Sequence, residues 1–262
     1  MEDLLSIERE TLKESPIHHL DGRIKIIISL IIIVYAVSTS NLLILFIMEA
    51  YLLFLLSVSR IPLSYTLKRL FLILPFGGFI ALFQLFIRAG DIICTGPLGV
   101  HVTMQGLLFG ILLFAKITVS ITAIILLSST TPMQELTNSM RRIGIPHTFI
   151  MLLSLTIRYL FFFYDELERI KNAQKTRCFD IWNKNTGYSW RLRKIGETIA
   201  MIFLRAYEQG EKTYLSMLSR GYSQESQMYH EKTPLKRADI LFMTLNIAFI
   251  IVLYYIQNFN LV

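Results

Sequence analysis

Five stretches of this chain are apolar for so long that they leave few folds open. They cover about 24–37, 42–58, 70–87, 105–127 and 239–256, each bounded by turn signals or charge. Runs of this length suit a bilayer crossing, the first once its flanks are included. Inside lipid, every backbone N–H and C=O must find its partner within the protein, so the spans must be helical. The expected fold is an all-α membrane protein with about five transmembrane helices and a cytoplasmic module of three further helices. The expected parts are residues 1–128 with four spans, 129–237 as the cytoplasmic module, and 238–262 with the final span.

Composition agrees with this frame. Hydrophobic residues make up 53% of the 262, and mean hydropathy is +0.52. The net charge of +7 and pI near 9.4 fit basic loops on one side of a membrane rather than a nucleic-acid surface. Arg23, Lys25, Arg60, Lys68 and Arg69 fall on the same side as the basic segment after residue 128. The opposite side carries only the 38–41 turn and a loop with Arg88, Asp91 and His101. The N-terminus is therefore expected in the cytoplasm of a multi-pass cell-membrane protein. Cys94 and Cys178 then lie on opposite sides and are not expected to pair. Residues 1–23 lack the apolar segment of a signal peptide; Leu4, Leu5, Ile7 and Leu12 among charges suggest a lead-in resting on the bilayer surface.

Two charges fall inside spans, Glu49 in the second and Lys116 in the fourth. Snorkelling or mutual pairing is expected of Lys116. Pro75, Gly77 and Gly78 in the third span suggest a kink and close helix approach. Residues 88–104 read as a loop.

After Thr130 the texture changes. Thr131-Pro132 signals a helix start, with Glu135 in its first turn. Met133, Leu136, Met140 and Ile143 give one apolar stripe, and Gly144-Ile145-Pro146 ends the helix. Residues 147–175 read as one long helix, apolar first and charged later. Arg158 and the smooth passage into amphipathic sequence favour a tilted helix at the membrane boundary over a span. Residues 180–194 read as a basic, aromatic linker. A further amphipathic helix is expected over about 195–219.

Several chemistries find no support. There is no GxxxxGK[ST], so no P-loop ATP site. There is no HExxH or Cys-x-x-Cys. The five histidines, His18, His19, His101, His147 and His230, are scattered apart from one adjacent pair. No cofactor or metal is expected. Asp165, Glu166 and Glu168 would be the carboxylates of a membrane-embedded transferase, which is the alternative from another class. The constellation that remains is a repeat: Thr176-Arg177-Cys178-Phe179 and Ser219-Arg220-Gly221-Tyr222, each closing a helical pattern. A guanidinium fork suits bidentate contact with carboxylates and helix-terminal carbonyls. Two such ends suit two copies of one groove on a partner dimer. Ordinary helix C-terminal arginines complementing the macrodipole are the competing account.

These residues resemble a known family, the transmembrane (T) components of energy-coupling factor transporters, and within it the CbiQ-type cobalt-transport permease subunit. Leu20-Asp21-Gly22-Arg23-Ile24-Lys25 is similar to the family's Leu-Asp-Pro-Arg-x-Lys opening, with glycine in place of proline. Glu135-Leu136 through Ile145-Pro146 resembles its first coupling helix, and Arg158-Tyr159 followed by Asp165-Glu166 its next. Arg205 through Tyr222 is the most specific match. The resemblance implies a non-catalytic subunit of an ATP-driven importer, most specifically for cobalt(II), with nickel or vitamin transport as alternatives. Implied partners are two ATP-binding cassette ATPase subunits, a CbiM-like substrate-binding membrane subunit, a small accessory membrane subunit in some complexes, and the lipid bilayer. Arg177 and Arg220, with Thr176, Cys178, Ser219 and Gly221, would engage the ATPases. Cys178 stands where the family usually has glycine. Met133, Met140, Phe149 and Phe203 would contact the substrate-binding subunit.

Overall fold

The structure is a computed structural model describing residues 15, 17–18, 20–59, 61, 63–87, 92–95, 101–177, 187–223 and 236–259. Among these residues, eight helices and one small hairpin form two compact units, 1–144 with 233–262, and 145–232. The protein is an all-α membrane protein in its architecture. Leu4, Leu5, Ile7 and Leu12 of the expected lead-in, His19, His230, Cys178 and residues 180–186 of the expected linker lie outside the described residues.

In the first unit, α1 (Gly22–Ser38) and α2 (Leu42–Val58) are joined by a three-residue turn. Ile24, Ile28, Ile32 and Ala36 form the buried face of α1, at helical spacing, while Leu30 and Val34 point outward. On α2, Ile44, Leu45, Met48, Leu52, Leu55 and Leu56 complete the same core. Helix α3 (Leu63–Ile87) contains Pro75 and packs along α4 (Met104–Thr130). Gly77 makes that approach possible: a Cβ there would stand 3.1 Å from the Ile117 side chain.

Between α3 and α4 the expected loop contains a hairpin, β1 (Ile92–Thr95) against β2 (His101–Thr103), antiparallel with a shift of register between Ile92 and Cys94. Strands this short carry too few residues for a legible alternation. Helix α8 (Arg237–Phe259) joins the unit through Tyr51, whose hydroxyl donates to buried Asn246 at 3.0 Å and whose ring stacks on Phe249.

By length and composition, 66–84 within α3, α4, 147–176 and 237–258 could each cross a bilayer, and α2 is a shorter apolar helix. The helix over 147–176 therefore qualifies as well, although Arg158 suggested a boundary position. Helices α1 and α2 have 17 residues each. That is about 25 Å at 1.5 Å per residue, slightly under a hydrocarbon core of about 30 Å, so crossing involves their flanks.

The two intramembrane charges do not pair. Thr122 donates to Glu49 at 2.8 Å, whereas Lys116 reaches the Val37 carbonyl at 2.5 Å. Lys116 and Thr122 are six residues apart on α4, so their levels differ by about 9 Å. Lys116 instead satisfies one of the carbonyls that the end of α1 leaves without an intrahelical partner.

The start of α1, the end of α4 and the start of α8 meet at one end of the unit. Asp21 caps α1 by accepting from the Arg23 N–H at 3.0 Å, and pairs with Arg23 and Arg142. Asp239 is 2% exposed and accepts from the backbone N–H of Asp21 and of Lys236, both at 2.9 Å. Lys25 is also buried, and its ammonium donates to the His18 and Thr130 carbonyls at 3.1 Å.

Helix α5 (Met133–Ile143) packs against α1. It begins after Pro132 and stops at Gly144, whose φ of 106° is the left-handed cap that glycine adopts at little cost. Thr137 and Ser139 are its buried residues, with Leu136 and Met140 half-buried between them and Gln134 and Asn138 exposed on the opposite side. Gly22 lets α5 come this close, since a Cβ there would lie 2.4 Å from Ser139 Oγ. Packing thus groups α5 with the apolar helices, whereas the expected boundary near 128 followed the change in texture.

Candidate functional site

The second unit consists of α6 (His147–Thr176) and α7 (Tyr188–Ser219). Helix α7 starts earlier than its apolar stripe implied. Glu197 pairs with Arg193 at 3.4 Å and Lys194 at 2.6 Å, so the end of the expected linker is drawn into a helical turn. The Lys194 hydrogen bond, aided by the two positive charges, holds the Glu197 carboxyl below the usual carboxylate range.

Three polar pairs join α6 to α7. Tyr159 and Thr213 share a hydroxyl hydrogen bond of 2.5 Å; Glu166 forms an ion pair with Arg205; Gln174 donates to Thr198 at 2.8 Å. Along α6 the steps are seven and eight residues, and along α7 eight and seven in reverse. The helices are therefore antiparallel, with contacts recurring about every two turns. Glu166 is 8% exposed and also has Arg169 at 3.7 Å.

Antiparallel order sends the two arginine ends in opposite directions. Arg177 closes α6 eleven residues beyond Glu166, and Arg220 closes α7 fifteen residues beyond Arg205. At 1.5 Å per residue the two ends stand about 40 Å apart along the pair. The fold does not bring the two repeated blocks together; it places one at each end of a rod.

Locally the ends match. Thr176 Oγ1 turns back to the Ala173 carbonyl at 2.9 Å, and Ser219 Oγ to the Ser216 carbonyl at 3.0 Å. Each hydroxyl occupies a carbonyl that the last turn leaves unpaired. The arginine follows as C-cap, with φ/ψ of −88°/18° at Arg177 and −90°/9° at Arg220. Each arginine N–H bonds the carbonyl three residues back, at 3.1 Å. Past Arg220, Gly221 has φ 79°; its N–H bonds the Leu218 carbonyl at 2.9 Å and that of Tyr222 bonds Met217 at 3.0 Å. This is a complete Schellman cap, which requires the left-handed residue glycine supplies. Both arginines are exposed, and neither has an acidic partner among the described residues.

The four residues expected to touch a substrate subunit are on the surface to different degrees. Met133 is 60% exposed, Phe149 60% and Phe203 73%, while Met140 is half-buried. On α5 the middle of the apolar stripe, Leu136 and Met140, is half-buried, and Met133 and Ile143 at its ends are exposed. The carboxylates of the alternative reading do not converge. Asp165 is exposed, Glu166 is held by arginines, and Glu168 accepts from Tyr164 at 3.2 Å. Among the described residues no group of three His, Cys, Asp or Glu side chains is placed to hold a metal.

The sequence reading missed the Glu166–Arg205 pair and the Asp21–Asp239 knot. The first had a signal, since Asp165-Glu166 and Arg205 both fall in matched stretches. The second links residues 218 positions apart and leaves no periodic trace.

Helices of this length and apolarity, four of them able to cross a bilayer, define a multi-pass membrane protein. The family model described as cobalt transport protein CbiQ matches residues 13–230, and the chain belongs to that family, the T components of energy-coupling factor transporters. It is 28% identical to an energy-coupling factor transporter transmembrane protein EcfT of Listeria innocua, over 79% of this chain and 80% of that one. An uncharacterized protein of Methanocaldococcus jannaschii is 29% identical over 94% of this chain and 85% of its own length. A putative fused cobalt transport protein CbiMQ of Methanocorpusculum labreanum is 30% identical over 50% of this chain and 21% of its own.

Proposed function

We propose that this chain transmits ATPase motion to a separate substrate-binding membrane subunit in a cobalt(II) importer. The observation that carries the proposal is the pair of like caps, Arg177 and Arg220, without an acidic partner among the described residues and at opposite ends of one antiparallel rod. A dimeric motor offers two equivalent grooves separated in space. Two chemically alike handles at the two ends of a stiff rod suit such a partner better than two handles side by side.

In this reading each guanidinium docks on one ATP-binding cassette subunit, gripping carboxylates or helix-terminal carbonyls through its fork. Thr176 and Ser219 close the preceding turn, and Gly221 fixes the direction in which Arg220 leaves the helix; Cys178 takes the corresponding place in the other block. When ATP closes the dimer, the rod ends are displaced. Transmission requires that partner contacts differ between the two states. The exposed apolar surfaces around Met133, Met140, Phe149 and Phe203 supply contact to a CbiM-like subunit. The functional division follows: 1–128 and 238–262 anchor, and 129–237 couples. The N-terminus lies in the cytoplasm and the complex in the cell membrane, with a small accessory subunit as an allowed component. The family description and the fused relative's name support cobalt as cargo.

The test is co-purification of the complex with Arg177→Glu and Arg220→Glu combined. The ATPases are expected to be lost and cobalt uptake to fall to background, while the variant keeps its helical circular dichroism. Retained ATPases with normal uptake would end the proposal. Uptake of nickel but not cobalt by the wild-type complex would keep the coupling role and change the cargo.

A further inference from the structure

A cavity of ≈ 630 Å³ lies on one flank of the α6–α7 seam, beside the hydrogen bond between Tyr159 and Thr213. Arg158, Lys212 and Arg220 line it together with Gln209 and Ser216, and no aspartate or glutamate does. All three cations are exposed, and none has an acidic partner among the described residues. Like charges along one wall repel one another, and an anionic occupant would relieve that repulsion.

The spacing of the charges limits what the occupant can be. Arg158 adjoins Tyr159 and Lys212 adjoins Thr213, so the hydroxyl bond sets these two cations at one level of the rod. Lys212, Ser216 and Arg220 follow at steps of four on one face of α7, which puts Arg220 about 12 Å further along the axis. A single phosphate cannot reach both levels. A helix with carboxylates seven or eight residues apart repeats the same spacing. The apolar trough along Leu160, Phe163 and Leu218 opens on the other flank, behind the Tyr159–Thr213 bond, so a lipid head seated here would leave its tail without it.

We propose that Arg158 and Lys212 are a second grip for the ATPase subunit that docks at Arg220. One carboxylate of an acidic segment of that subunit meets Arg220, and another, about two helical turns away, meets Arg158 and Lys212. This rests on the coupling role proposed above and adds the chemistry of the partner's surface at one end of the rod. It requires this level of α6 to stand outside the hydrocarbon, which a charged arginine there favours.

The full-length chain in phosphatidylcholine nanodiscs is titrated with the purified ATPase dimer of its own complex, and affinity is read by biolayer interferometry at two salt concentrations. Arg158→Gln with Lys212→Gln should weaken binding about tenfold and flatten its salt dependence. Arg158→Lys with Lys212→Arg should keep the wild-type affinity, and Lys171→Gln, outside the cavity, should have no effect. If Arg220→Gln weakens binding and the double glutamine variant does not, the second grip is overturned while the coupling role stands. If neither weakens binding, both fall. Three further results would give the cavity to another occupant and overturn the proposal. One is a loss of affinity in millimolar inorganic phosphate at constant ionic strength that the double glutamine variant does not share. Another is the same pattern on adding phosphatidylglycerol to the nanodiscs. The third is tighter binding by Glu225→Gln with Glu231→Gln, which would assign the cavity to the chain's own carboxylates.

Discussion

The two units of this protein are finished to different degrees. In the first, α1, α2 and α4 enclose a continuous apolar core, and their ends are tied by Asp21, Lys25 and Asp239. In the second, α7 buries none of its residues, and α6 only Ile150 and Glu166. Ile199, Phe203, Leu204, Tyr207 and Leu218 are all exposed there. Apolar faces on the first unit's helices can meet lipid. Helix α7 has no run apolar enough to cross, so its stripe awaits protein or the bilayer surface. One unit closes an apolar core of its own; the other leaves most of its apolar side chains exposed.

That contrast can be broken most sharply at Asp239. Asp239→Ala removes the acceptor of two buried N–H groups and should cost about 3 kcal/mol. Thermal unfolding of the detergent-purified chain should fall by several degrees, with α6 and α7 equally helical. An unchanged midpoint would mean that the ends of α1 and α8 are held by something else.

Gly22→Ala comes next, at about 2 kcal/mol, because its Cβ would meet Ser139 Oγ. Combining it with Ser139→Ala should recover part of the loss; no recovery would place the strain elsewhere.

In the rod, Glu166→Gln should loosen α6 from α7 by about 1 kcal/mol, since Arg205 is 45% exposed and solvent screens the pair. Limited proteolysis should then quicken between 187 and 223 while unfolding of the anchor stays put. Equal loss in both units would contradict the division.

The smallest effect is expected from acid. Glu197's carboxyl is depressed by Lys194, so its help to the start of α7 is present above the ordinary carboxylate pKa. That help fades as pH falls through the lower folded value. Hydrogen exchange around 188–197 should rise slightly in that window, and Glu197→Gln should abolish the pH dependence.

The sequence made helices readable because helices repeat. The apolar run over about 24–37 announced a helix though not which side of it is buried, and Pro132 and Gly144 marked both ends of α5. The repeated arginine blocks were readable for the same local reason, and Thr176-Arg177 and Ser219-Arg220 end their helices with like cap geometry. Placement was not readable. Nothing periodic says that Asp239 accepts from Asp21, or that α6 and α7 run antiparallel and hold the two blocks apart. On α5 the tightest packing falls on Thr137 and Ser139, which flank the apolar stripe, and Gly22 is what leaves room for Ser139. The Lys116–Glu49 pairing failed on level alone, six residues along one helix.

The most direct measurement uses the assembled complex with Cys94→Ser and Cys178→Ser as background. Arg177→Cys and Arg220→Cys are introduced singly and together, and crosslinked to the ATPases with a short bifunctional reagent. Each single cysteine should capture one ATPase subunit, and the double variant should capture two on the same chain. Capture of one shared subunit by both positions, or of none by either, would contradict a rod gripped at its two ends.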